Sequence, residues 1–300
     1  MKKIKNILDF PSMRNLKKQL GDQDSCFQAN QISMLFLEEH IKNNNLNSIE
    51  YIRELSEKFR ISYGAGDWAK IKKLIAYSYI VQTYNNQEVF LKEFISEYII
   101  LKNFSGWKAK IKKGTSTKDL DPYSQLKHNL DKDIYIQFWE CPESNIIQYY
   151  RQLRNEIVHK SAKNFDKSNK LYSSLIEPNL EHFKNNFKFL LPDNKLPAPN
   201  SPLCVTYDDY MLYSKCLKII SKKISLACNL TVQDIFDFEI NNIRFTDRIK
   251  KYNPYQNKFA EKKFIEGLKM YFKTYYGGNN KFCKDFSDLF ANWMSLKKRK

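Results

Sequence analysis

Cys141–Lys163, CPESNIIQYYRQLRNEIVHKSAK, reads as one amphipathic helix. Pro142 suits a first helical turn, where its missing N–H costs nothing, and Glu143 follows it at the positive end of the dipole. Ile146, Tyr150, Leu153 and Ile157 then recur at spacings of four, three and four. That spacing lays a single stripe along the helix and aims it at a core. Arg151, Arg154, Asn155, Glu156 and His159 gather toward the far end of the same segment. Packing of the stripe gives no reason for Arg, Asn and His to collect there.

The chain on either side carries the same periodicity. Upstream, a short helix is expected around Met13–Leu20, then a longer one over Phe27–Asn43 that stops at the Asn43–Asn45 run. Ser48–Phe59 reads as the next helix. Gly64–Asp67 is a turn with Asp67 as N-cap, and Trp68–Lys102 is two helices or one kinked helix. Residues 103–121 read as a basic loop in which Trp107 anchors to the core, with base stacking as its other use. Pro122–Trp139 reads as a helix leading into the quoted segment. Beyond it comes a basic connection and then a helix over Leu171–Leu191.

Four prolines fall between 192 and 202, in PDNKLPAPNSP. Proline at that density resists helix and suits a semi-rigid linker. The expected division is a helical domain at 1–191, a linker at 192–202 and a basic C-terminal helical domain at 203–300. Within the last, Thr206 with Asp209 and Thr231 with Asp234 have capping-box spacing. Apolar positions 213, 217, 220, 224 and 227 follow the first of these. Asn257–Tyr276 presents Phe264, Leu268, Tyr271 and Tyr275 and ends at Gly277-Gly278; Phe282–Leu296 is the last helix. No strand of any length alternates and no repeat recurs. The expected fold class is all-α, a helical bundle with a second C-terminal helical lobe.

Composition narrows the partners. Fifty basic against 33 acidic residues leave +17, with a pI near 9.4. Such a surplus favours polyanions, nucleic acid first. The joint richness in Lys, Asn, Ile, Tyr and Phe is equally the mark of an AT-rich genome. Six cysteines form no C-x-x-C pair and no zinc-ligand cluster, as expected of small hydrophobes in a reducing compartment. The opening MKKIKNILDFPSM lacks the apolar run of a signal peptide, and no run of eighteen apolar residues offers a membrane span. The expectation is a cytoplasmic protein with no cofactor and no metal.

The residues LRNEIVH, Leu153–His159, resemble the signature of the HEPN superfamily. Its ribonuclease members carry an Arg, a polar residue directly after it and a His a few positions on. The likeness covers some twenty residues of the 300, with Lys160 where many members have Gly. It implies a HEPN-like helical bundle and metal-independent RNA cleavage. In that reaction the 2′-hydroxyl attacks the adjacent phosphate to leave a 2′,3′-cyclic phosphate and a 5′-hydroxyl. It also implies Arg154, Asn155 and His159 as catalytic residues, with Arg151, Lys160 and Lys163 binding RNA. Compact members of this kind resemble toxin and abortive-infection effectors of antiviral defence, so an antitoxin or a phage-derived trigger is the implied regulator.

The residue types suit that chemistry. A histidine takes or gives a proton near neutrality, and a guanidinium fork binds two phosphate oxygens at once. Arg154 and His159 are five positions apart, about 140° around a continuous helix, so one chain presents half a site at best unless the helix bends near Val158. A homodimer with a composite site about a two-fold axis supplies the other half. The competing readings are structural. His159 caps the last carbonyls of its helix, and Arg154 pairs with Glu156 or Glu143. The adjacent Asp208 and Asp209 suit a cap better than a metal pair, because neighbouring positions point apart on a helix. Arg244–Lys300 carries fifteen basic and five acidic residues interleaved with Tyr252, Tyr255, Tyr271, Tyr275 and Tyr276. It reads either as a surface that holds single-stranded RNA or as core tyrosines under a solvated lysine face. The alternative function for the whole chain is a non-catalytic RNA- or protein-binding helical module.

Overall fold

The computed structural model describes residues 8–64, 66–113, 116–159, 165–186, 199–239 and 260–277, together with Phe286, Asp288, Leu289 and Ala291. The fold is all-α, with one small hairpin among the described residues. Its helices are α1 (Pro11–Asn43), α2 (Ser48–Lys58), α3 (Trp68–Leu101), α4 (Pro122–Asn129), α5 (Lys132–Trp139), α6 (Pro142–His159), α7 (Asp166–Leu171), α8 (Leu180–Asn186), α9 (Tyr207–Cys228), α10 (Val232–Glu239) and α11 (Ala260–Tyr276). No helix among the described residues is long and apolar enough to cross a membrane.

The chain divides into two compact units, each drawn from separated stretches of the sequence. One unit comprises Met1–Asn15, Glu88–Trp139 and Ser221–Lys300; the other comprises Leu16–Gln87 and Glu140–Ile220. Residues of α1, α3 and α9 fall in both, so no single cut in the sequence can separate them. Residues 192–198 of the expected linker lie outside the described residues.

The unit that contains α6 is built around the stripe read in the sequence. Ile146, Tyr150 and Leu153 are fully buried, and so are Ile147 and Tyr149 beside them. Burying each of these large side chains contributes about 1.5–3 kcal/mol. Tyr150 stacks on Tyr213 of α9, with ring centroids 5.0 Å apart. α1 runs unbroken where two helices are expected, because two polar residues of its middle, Gln23 and Asp24, find partners on other helices while Gly21, Asp22 and Ser25 stay exposed. Buried Gln23 donates to Thr83 Oγ1 at 2.8 Å and accepts from Asn86. Asp24 accepts from Tyr210 and forms a 2.7 Å ion pair with Lys218.

The end of the proline-rich stretch is docked in this same unit. Tyr149 Oη donates to Asn200 O at 2.5 Å, Tyr77 Oη to Pro202 O at 2.9 Å and Tyr172 Oη to Pro199 O at 3.3 Å. Asp209, wholly buried, accepts from Tyr150 Oη at 2.7 Å and from the Asn200 and Thr206 amides, each at 2.8 Å. Thr206 and Asp209 thus form the expected capping box. The helix expected over Leu171–Leu191 widens into a π-turn at Tyr172–Ile176 and tightens to a 3₁₀ turn at Glu177–Asn179. Pro178 cannot donate to an α-helical ladder there.

In the other unit, the Glu97 carboxylate caps the start of α1. It accepts from Ser12 N at 2.9 and 3.0 Å and from Ser12 Oγ at 2.6 Å. Burial pushes the Glu97 carboxyl above its ordinary range, and the two kinds of bond from Ser12 pull it back. Lys102 at the end of α3 bonds Asp234 at 2.7 Å and Asn229 O at 2.9 Å. Thr231 and Asp234 cap α10 reciprocally, Thr231 N to Asp234 Oδ2 at 2.8 Å and Asp234 N to Thr231 Oγ1 at 3.1 Å. α11 ends at Gly277, whose φ of +66° is the left-handed geometry a helix stop favours.

Two expectations fail in this unit. The helix expected over Pro122–Trp139 breaks in two, since Leu130 has an extended backbone (φ −88°, ψ 146°) between α4 and α5. The stretch expected as a loop holds an antiparallel hairpin of β1 (Lys110–Lys113) and β2 (Ser116–Asp119), with Lys110 opposite Asp119 and Lys113 opposite Ser116. Its strands are lysine-rich, without the apolar alternation that marks a strand in sequence. Most of the last expected helix, Phe282–Leu296, lies outside the described residues.

Candidate functional site at the end of α6

α6 stays α-helical through His159. Asn155 and His159, four apart, therefore share a face, while Arg154 stands on another. The three do not form one cluster within the chain. His159 is exposed, and among the described residues no hydrogen bond engages its imidazole. Val158 next to it is 44 % exposed, an apolar side chain in solvent at the helix end.

Arg154 is half-buried and held. Its guanidinium lies over the ring of Tyr84 on α3, Cζ 4.5 Å from the ring centroid. Nη1 donates to Asn155 Oδ1 at 3.2 Å. Nε is buried with no hydrogen-bond partner among the described residues. A charged, planar group is thus pinned by a ring and a neighbouring amide, and no carboxylate among the described residues neutralises it. The expected pairing with Glu156 or Glu143 is not made. Glu143 instead faces His182, Oε1 3.9 Å from Nε2. Arg151 sits half-buried one turn earlier on α6. Lys160 and Lys163 lie outside the described residues.

Glu156, expected only as an ion-pair partner for Arg154, has a role that the sequence reading missed. Its side chain is buried and turned onto the start of α7. Oε1 accepts from Lys167 N at 3.1 Å, and Oε2 from Ser168 N at 3.0 Å and from Ser168 Oγ. These are first-turn amides that α7 cannot satisfy itself. Its own cap position, Phe165, is left-handed at φ +51° and offers no side-chain bond. Glu156 therefore fixes where the chain returns after the helix end that carries His159. The signal was present in the sequence, since a Glu beside the apolar stripe is out of place unless something caps on it.

The aromatic basic segment divides. Tyr271 and Tyr276 are buried, with Tyr276 Oη donating to Glu239 at 2.6 Å, so these two are core. Tyr275 is 40 % exposed, and Tyr252 and Tyr255 lie outside the described residues. Trp107 is an anchor, its Nε1 donating to Gln125 Oε1 at 3.0 Å. Among the described residues no group of three or more His, Cys, Asp or Glu could hold a metal ion.

No protein-family model matches the chain, and no curated protein and no solved structure matches it.

Proposed function

We propose that the chain is a metal-independent endoribonuclease of HEPN type, acting as a toxin-like or abortive-infection effector in antiviral defence in the cytoplasm. The observation that carries this reading is the end of α6: a guanidinium fixed against Tyr84 and Asn155, and an exposed imidazole five positions on. In the proposed reaction a base takes the proton of the RNA 2′-hydroxyl, and its oxygen bonds to phosphorus. The bond from phosphorus to the 5′-oxygen breaks, and an acid returns a proton to that oxygen. His159 is the proton carrier, a role worth roughly 10²–10⁴ in rate. Arg154 meets the charge that gathers on the phosphorane oxygens. Asn155 holds Arg154, and Arg151, Lys160 and Lys163 draw in the RNA.

One chain shows Arg154 and His159 on different faces of a helix that remains regular, so the reading needs a second copy. A homodimer bringing two α6 ends together about a two-fold axis would supply base and acid on opposite sides of one phosphate. The bare Val158 beside His159 suits such a contact. An antitoxin or a phage-derived component would hold or release the activity.

A specific observation favours the second reading, a non-catalytic RNA- or protein-binding helical module. Arg154 already has a ring and an amide to hold it, and residues so engaged also serve packing. Incubating purified protein with total RNA and a chelator separates the two. The ribonuclease reading expects fragments ending in 2′,3′-cyclic phosphate and beginning with 5′-hydroxyl, lost with Arg154→Ala and with His159→Ala. RNA that stays intact across many substrates, or is cut equally by His159→Ala, overturns it.

A further inference from the structure

We propose that the β1–β2 hairpin is an arm that grips the phosphodiester backbone of single-stranded nucleic acid. From Trp107 to Asp119 the sequence WKAKIKKGTSTKD holds five lysines and one acid. That is +4 in thirteen residues of a chain that carries +17 in 300. Lys108, Lys110 and Lys118 are exposed. The one acid, Asp119, meets Lys110 at 3.1 Å, but the two side chains are 80 % and 64 % exposed, so the pair is well screened and neutralises little.

Among the hairpin's described side chains none is buried, and Ile111 alone is apolar and half-buried. An isolated two-stranded ribbon is marginal in water. This one persists because its base is clamped to α4 and α3. Lys108 N donates to Asn129 Oδ1 at 2.7 Å, and Asn129 Nδ2 returns a bond to Lys108 O at 2.9 Å. Leu120 N donates to Ala109 O at 2.9 Å. Trp107, besides its bond to Gln125, packs its ring 5.7 Å from Phe104 and 6.0 Å from Tyr98. The fold thus spends three bonds to α4 and an aromatic cluster on a ribbon whose described side chains include no buried one and three exposed lysines. A clamped display loses little freedom on meeting a ligand. Lysine ammonium groups along an extended ribbon suit a run of phosphates, which each present one charge and no sequence.

Binding by the arm does not depend on cleavage, so it is measured on a chain in which cleavage is blocked. The full chain carrying His159→Ala, so that RNA is not consumed, is compared with the same chain carrying in addition Lys108→Gln, Lys110→Gln and Lys118→Gln. Binding of a labelled 20-residue RNA and of a DNA of the same sequence is followed by anisotropy across a salt series. The arm predicts a loss of roughly tenfold or more near 100 mM salt, and a slope of log affinity on log salt smaller by about 2. An equal loss on both strands places the grip on phosphate; a loss on RNA alone overturns it, since the DNA presents the same phosphates. Unchanged affinity and slope overturn the proposal and leave the lysines as guards that keep the open strand edges from pairing. An equal loss from Lys18→Gln, Lys42→Gln and Lys70→Gln, three exposed lysines elsewhere, overturns it too, since net charge would then suffice.

Discussion

The carboxylate of Glu156 caps a helix that begins ten residues later, Oε2 accepting the Ser168 amide at 3.0 Å. The bond ties α6 to α7 across the segment that follows His159. A buried carboxylate with three donors cannot be removed without leaving those donors unpaired. Glu156→Ala is therefore expected to cost about 2–4 kcal/mol, and Glu156→Gln, which keeps an acceptor, less. Urea unfolding followed by circular dichroism reads the difference. Equal stability of Glu156→Ala and wild type would show that the cap contributes nothing.

Tyr84 is expected to act on Arg154 through its ring and not its hydroxyl. The guanidinium lies 4.5 Å from the ring centroid, a contact worth about 0.5–2 kcal/mol. Tyr84→Phe keeps that face and Tyr84→Ala removes it. If Arg154 meets the scissile phosphate, Tyr84→Ala lowers cleavage roughly tenfold to a hundredfold through misplacement, with Tyr84→Phe near wild type. Measured single-turnover rates with the two variants indistinguishable would show that the stack does not position Arg154.

Asp209 should make stability depend on pH in an unusual direction. Burial pushes its carboxyl above the ordinary 3.8, and the bonds from Asn200, Thr206 and Tyr150 pull it back without cancelling the rise. The folded chain then holds the proton more tightly than the unfolded chain. This contribution is full below the ordinary aspartate value and is lost as pH rises through the raised one. Asp208 beside it is raised as well, by burial first and by Asp209 second, so the comparison must isolate Asp209. The unfolding free energy of wild type minus that of Asp209→Asn is expected to fall as pH climbs above 3.8. A difference that is flat, or that grows with pH, would mean that the hydrogen bonds outweigh burial.

What the sequence revealed and what it hid follow from where polar side chains find partners. The stripe of α6 was legible because Ile146, Tyr150 and Leu153 bury against a core, and burial imposes helical spacing. The two capping boxes were legible because a cap is a local bond between residues three apart. α1 was not legible as one helix. Its middle, GDQDS, looks like a break until Gln23 meets Thr83 and Asp24 meets Lys218, partners 60 and 194 positions away. The unit boundaries were hidden too, since three of them run through α1, α3 and α9, where no turn signal marks them. At the candidate site, spacing alone was enough to place Arg154 and His159 on different faces. Tyr84, which claims Arg154, is distant in sequence and leaves no local trace, whereas the cap on α7 shows only in Glu156 standing beside an apolar stripe.

The composite site makes a quantitative claim about mixtures. If each active site draws His159 from both copies of a dimer, a wild-type chain paired with a His159→Ala chain is inactive. Wild type mixed with an equal amount of the variant and allowed to exchange subunits then forms wild-type pairs in about one quarter of the dimers. Cleavage at fixed total protein should fall to about one quarter of the all-wild-type rate, whereas independent sites give about one half. Val158→Asp, which sets a charge beside His159 at the proposed contact, should weaken both the dimer in sedimentation and the cleavage, with little effect on folding because the side chain is 44 % exposed. A linear mixing curve from a protein that sediments as a monomer at micromolar concentration would place both proton transfers within one chain, and α6 as it stands offers one exposed histidine for them.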